Sequence, residues 1–122
     1  MDIKKHIIAL GFVPKNGTNG IYHKIYVDYA IEIDFEKQSI NYGSGIAADS
    51  KTTQNFSDAE NFVVLECVDR LLAKGYKPQN IVLEKTWPSG HGTSGRLDIC
   101  VNRKDGTPYM LIECKTYGKE YN

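Results

Sequence analysis

The sequence predicts an α/β protein with a mixed central β-sheet flanked by helices, preceded by a short helix and an antiparallel meander. Three observations carry this. Asp105-Gly106 stands between two apolar runs and marks a β-hairpin, because a type I′ turn needs positive φ at both central residues. Ser57 to Gly75 has helical apolar periodicity, and Ile21 to Phe35 has the two-residue period of half-buried strand.

At 122 residues the chain is one domain, or one domain with an appendage, and large enough for a real core. Fifteen basic and fifteen acidic residues cancel, which argues against holding nucleic acid by bulk charge alone. The second half is the more basic, so an anionic partner should prefer it. Three cysteines with no CxxC (Cys67, Cys100, Cys114) fit a reducing compartment, where they read as small core residues and disulfides are not expected. No apolar run approaches the roughly 18 residues of a membrane span, and MDIKKHIIALGF is too short and interrupted for a secretory signal. The expectation is a soluble, cytoplasmic protein with no membrane partner.

In order, Asp2 to Leu10 reads as a short amphipathic helix with Ile3, Ile7 and Leu10 on one side, ended by Gly11. Pro14 to Gly20 is a loop. From Ile21 to Phe35 apolar residues fill nearly every odd position, giving one or two long strands, then a turn at Glu36 to Ser39 and a short return strand to Tyr42. Residues 1–45 form this helix and meander, and His6 and His23 within it lack a second ligand at metal spacing. Residues 46–56 belong to a polar Gly/Ser/Thr-rich stretch, Gly43 to Phe56, read as a linker or exposed loop. Ser57 is expected to cap the next helix, with Glu60 completing a capping box and Phe62, Val63, Leu65, Val68, Leu71 and Leu72 forming its apolar stripe. Ile81 to Trp87 is a strand, and Pro88 to Gly95 a loop into the hairpin Arg96 to Thr116.

Folding that hairpin about Asp105-Gly106 sets Ile99 opposite Ile112, Cys100 opposite Leu111, Val101 opposite Met110, and Asp98 opposite Glu113. Lys115, two residues beyond Glu113, shares their face. The bare pattern, an Asp followed by an acid-x-Lys, is weak: about one chance match is expected in a chain of this composition. Asp34 with Asp49-Ser50-Lys51 supplies one at the same fourteen-residue spacing, but in a polar loop with no strand expected to fix it. Only Asp98 and Glu113-Cys114-Lys115 interrupt apolar strands, where an unpaired charge costs several kcal/mol.

The run Ser57 to Thr116, with its Glu60 helix, KGY, IVLE, GRLDICV and DGTPYMLIECK, resembles the PD-(D/E)xK nuclease superfamily. It is most similar to the N-terminal nuclease domains of type I restriction enzyme R subunits and related restriction-modification proteins. About half the chain is covered, and the family's nominal proline is Leu97 here. The resemblance implies a restriction-endonuclease-like core over residues 57–122. Because the family fold continues beyond its E-x-K strand, it also implies an N-terminal fragment of a longer protein, or a sheet completed by the chain's own meander. It implies Mg²⁺-dependent (Mn²⁺ substituting) endonucleolytic hydrolysis of DNA, with further domains or subunits of a restriction-modification complex as partners. Asp98, Glu113 and Lys115 would be catalytic; Asp98, Glu113, the Cys114 backbone carbonyl and Glu60 would serve the metal. The alternatives are a non-cutting nuclease-like fold used for DNA binding or assembly, and a plain lysine–carboxylate cluster at a sheet edge.

Beyond that set, Arg96, His91 and Lys119 are candidate DNA phosphate contacts. Of Glu84 and Lys85 only one can face the site; Glu84 matches a recurrent family acid, yet a solvated strand face is the expected reading. Trp87 and Tyr117 read as core or rim.

Overall fold

The computed structural model describes residues 2–88 and 94–114, and over those residues the protein is mixed α/β, with two four-stranded sheets and two α-helices. Helix α1 is Ile3–Ala9. The Asp2 carboxylate accepts the Lys5 N–H at 3.0 Å as its N-cap, and Gly11, at φ 102°, turns the chain out of it.

The first sheet runs in the order β1 (Val13–Pro14), β2 (Ile21–Tyr26), β3 (Tyr29–Asp34), β4 (Ser39–Asn41), all antiparallel. Odd-position alternation holds in β3, where Ile31 and Ile33 are buried, but not in β2. A two-residue turn at Val27-Asp28 pairs Tyr22 with Ile33, Lys24 with Ile31 and Tyr26 with Tyr29, so the core face of β2 falls on even positions. Ile25 is accordingly 69% exposed and Val27 fully so. Lys24, placed inward, finds two partners there: its Nζ donates to Leu10 O at 2.6 Å and pairs with Asp69 at 2.7 Å, beside the Tyr26 hydroxyl on the same carboxylate oxygen. Burying an ammonium stabilises nothing unless it is paired in this way.

Helix α2 is Glu60–Ala73, with Phe62, Val64, Leu65, Val68, Leu71 and Leu72 buried. The expected Ser57–Glu60 capping box does not form. The helix starts after Ala59, whose side chain cannot cap; Asp58 accepts the Glu60 N–H at 3.0 Å, and Ser57 Oγ instead bonds Asn55. Tyr22, Phe35, Phe56 and Phe62 form a chain of edge-to-face rings, with centroids 5.3, 5.7 and 5.1 Å apart, from the first sheet to α2.

The second sheet is β5 (Ala47–Ala48), β6 (Ile81–Pro88), β7 (Ser94–Asn102) and β8 (Pro108–Ile112), in that order. It is mixed: β5 lies parallel to β6, and the rest are antiparallel. The stretch read as a linker or loop therefore contains a strand. β6 and β7 also run further than expected, pairing out to Pro88 and Ser94. The hairpin has the expected pairs, Ile99–Ile112, Cys100–Leu111 and Val101–Met110. Its turn is different. Gly106 N–H donates to Arg103 O, so Lys104-Asp105 are the central residues and only Gly106, at φ 88°, is left-handed. Asp105 is held by its carboxylate, which accepts from Thr107 N and Oγ1. A register shift beside Asn102 then restores the pairing expected from a centre at Asp105-Gly106.

One hydrophobic cluster joins Ile31, Ile33 and Ile40 of the first sheet, the buried face of α2, and Ile81, Leu83, Ile99 and Val101 of the second. Among the described residues no helix is long and apolar enough to cross a membrane.

Candidate functional site

Pairing between β6 and β7 is continuous except at one rung. Leu83 faces Ile99 and Lys85 faces Leu97, so the intervening rung sets Glu84 opposite Asp98. Glu84 has φ 51°, which is costly for a residue with a Cβ and breaks the regular alternation of β6. On the other side of β7 the pairing with β8 ends at Ile99–Ile112, and beyond it Asp98 meets the backbone of Cys114. Glu84 and Asp98 thus lie on adjacent strands, with Glu113 just past the end of β8.

Each sits in a different environment. Glu84 is 1% exposed, so the solvated strand face expected for it is wrong. The residues after β5 hold it: Thr52 Oγ1 donates to one carboxylate oxygen, and Thr53 N and Oγ1 donate to the other, both at 3.1 Å. Asp98 is half-buried, and its Oδ2 accepts the Cys114 N–H at 2.6 Å, a charge-assisted bond replacing the strand pairing that stops at Ile112. Glu113 is exposed. Glu60, at the start of α2, lies close enough that its charge, like that of Asp98, reaches the Cys114 thiol.

Cys67 on α2 and burial push the Cys114 thiol up, while Cys114 in turn holds Cys67 down at about 7.

Asp98 and Cys114 therefore meet past the end of β8, with Glu113 beside them in the chain. Lys115, Lys119, His91 and Tyr117 lie outside the described residues, as do the side chains of Arg96 and Trp87. Among the described residues, no three His, Cys, Asp or Glu side chains form a ready-made metal cage. Two carboxylates and a peptide carbonyl, completed by water, are nevertheless the hard oxygen donors that Mg²⁺ takes. The competing pair resolves differently from the loop expected for it. Asp49 directly follows β5, and its carboxylate accepts from Thr86 N at 2.8 Å and Thr86 Oγ1 at 3.2 Å, which keeps its pKa below the usual carboxylate value.

Glu84 is the site residue that strand alternation misplaced. The signal was present in IVLEKT, an acid inside an apolar run, but locating it required the β6–β7 register across Pro88 to Gly95.

Residues 59–121 match the family described as type I restriction enzyme R protein N terminus. The match takes in Glu60, Glu84, Asp98 and Glu113 through Lys115. No curated protein and no solved structure matches the chain.

Proposed function

Because the chain belongs to the type I restriction enzyme R protein N terminus family, we propose that it is the DNA-cleaving domain of a restriction system. In this reading it is a Mg²⁺-dependent endonuclease of PD-(D/E)xK type, with a restriction-endonuclease-like core, working in the cytoplasm beside other domains or subunits of the complex. The observation that supports the proposal is the bond from the Cys114 N–H to Asp98 Oδ2, which brings Asp98 to the segment that carries Glu113. Two carboxylates brought near one another repel, and a cation between them would relieve that repulsion.

Asp98, Glu113 and the Cys114 carbonyl would hold the ion, with Glu60 approaching from α2. Bound there, Mg²⁺ would offset phosphoryl charge and lower the pKa of a water. The Cys114 N–H fixes the Asp98 carboxylate, so one of its oxygens keeps a constant position. Lys115 would orient the attacking water and offset charge on the phosphate. Arg96, His91 and Lys119 would position the DNA backbone without reading its sequence. The balanced net charge leaves substrate capture to other parts of the complex.

The test is DNA cleavage by the full-length R protein with Mg²⁺. Asp98→Asn, Glu113→Gln and Lys115→Ala should each abolish cutting and leave DNA binding intact, whereas Lys51→Ala should cut normally. A wild-type protein that binds DNA but never cuts it, with Mg²⁺ or Mn²⁺, would replace this reading with a non-cutting binding module.

A further inference from the structure

Glu84 and Gln38 are the two residues other than glycine with a left-handed backbone among the described residues. Gln38 is in the turn before β4, where such a conformation is ordinary. Glu84 lies inside β6, between Leu83 and Lys85, both of which pair with β7. A residue with a Cβ keeps that conformation within a strand only where its surroundings over-determine it.

Those surroundings are Thr52 and Thr53. Their hydroxyls and the Thr53 N–H donate to the two oxygens of the Glu84 carboxylate, and the segment that bears them is anchored on either side. Before it, the Asp49 N–H donates to Leu83 O at 3.1 Å and the Asp49 carboxylate accepts from Thr86. After it, Gln54 O accepts the Ile40 N–H at 3.0 Å and the Phe56 N–H donates to Gln38 O at 3.2 Å, which ties the segment to the first sheet. Glu84 is therefore drawn to a clamp that is fixed without it. At 1% exposure and with both oxygens engaged, its carboxylate is not open to a phosphate or a hydrated ion.

The consequence falls on Asp98. Pairing between β6 and β7 skips the Glu84–Asp98 rung, and pairing between β7 and β8 has already ended at Ile112. Asp98 is thus the point of β7 released on both sides, and an irregularity in one strand re-aims the side chains beside it. We propose that Glu84 is a positioning residue for Asp98. The Thr52–Thr53 clamp holds β6 kinked at Glu84, and the kink sets Asp98 where its Oδ2 meets the Cys114 N–H and its other oxygen is left for a cation. The effect on cation affinity rests on the nuclease reading above, whereas the coupling of the clamp to Asp98 does not.

The experiment is NMR of the full chain, first without metal and then during a Mg²⁺ titration, on four variants. Thr52→Val combined with Thr53→Val removes both hydroxyl donors and leaves β6 itself intact. Glu84→Ala removes the acceptor, Glu84→Gln keeps one acceptor oxygen, and Asp69→Asn destabilises the fold at a distance from the site. Without metal, the threonine double variant and Glu84→Ala should move the Cys114 amide proton to higher field as its bond to Asp98 lengthens, while Glu84→Gln and Asp69→Asn leave it in place. With Mg²⁺, the first two should bind at least roughly tenfold more weakly, the scale for losing a group that orients a ligand, and the other two should stay close to wild type. A Cys114 amide unmoved in the threonine variant would overturn the proposal, and that variant decides the matter if Glu84→Ala unfolds. Equal losses of affinity in Asp69→Asn and Glu84→Ala would also overturn it, because stability alone would then account for both. A wild-type chain that binds no Mg²⁺, with the Cys114 amide still moving in the threonine variant, would count against the nuclease reading and support the positioning of Asp98.

Discussion

The Asp98 carboxylate accepts the Cys114 N–H at 2.6 Å, so the residue expected to carry the chemistry also closes the end of the hairpin. That bond gives Asp98 a share in stability as well. Alanine leaves the amide of a buried residue without its acceptor, which costs about 1–3 kcal/mol, whereas Asp98→Asn keeps an acceptor oxygen. Both variants should lose cleavage, and urea denaturation should find only the alanine variant clearly destabilised.

Glu84 should matter for folding more than Asp98 or Glu113. Glu84→Ala removes the acceptor for two threonine hydroxyls and the Thr53 N–H in a buried setting, and should cost about 3 kcal/mol or more. Glu84→Gln keeps one carbonyl oxygen and should cost less. Equal and negligible losses in thermal melts of the two variants would show that the Thr52-Thr53 contacts do not hold the second sheet.

The Lys24–Asp69–Tyr26 network makes a separate claim about how the first sheet is fastened to α2. Asp69→Asn leaves the Lys24 ammonium with only Leu10 O and the neutral amide, at a cost of about 2–4 kcal/mol. Lys24→Met combined with Asp69→Leu should recover much of that loss, as replacement of a whole buried pair often does. Chemical denaturation of the single and double variants checks both statements.

Acid should destabilise the protein through two identifiable carboxylates. Hydrogen bonds from Thr86 lower the Asp49 pKa, and those from Thr107 lower that of Asp105. A depressed folded pKa means stability that is complete above the unfolded value of about 4 and lost as pH falls through the folded one. The melting temperature should therefore drop below about pH 4, and Asp49→Asn should flatten that limb. An unchanged acid limb in the variant would remove Asp49 from the account.

Local signals explain which parts of the fold were legible in the sequence. The hairpin pairs around Ile99 and Val101 followed from two apolar runs about one turn dipeptide, and they survived a misassigned turn because the register shift near Asn102 offsets it. The body of α2 followed from its periodicity. Its start did not, because Ser57 is engaged by Asn55 rather than by the helix. Alternation failed in β2 because a two-residue turn moves the core face from even to odd positions, and it failed at Glu84 because a positive φ interrupts the strand. The strand β5 was hidden by its two-residue length and by a partner more than thirty residues away. In the site, the Ile99–Ile112 pair beside Asp98 was legible, while the place of Glu84 opposite Asp98 needed the long-range pairing of β6 with β7.

The central claim is that the end of this hairpin holds a divalent cation, and amide NMR during a Mg²⁺ titration of the chain tests it most directly. The largest shifts should fall at Asp98, Glu113 and Cys114, with smaller ones at Glu60, and Asp98→Asn should abolish them. Shifts confined to the acidic turns of the first sheet, around Asp28 to Glu36, or shifts that persist unchanged in Asp98→Asn, would contradict it.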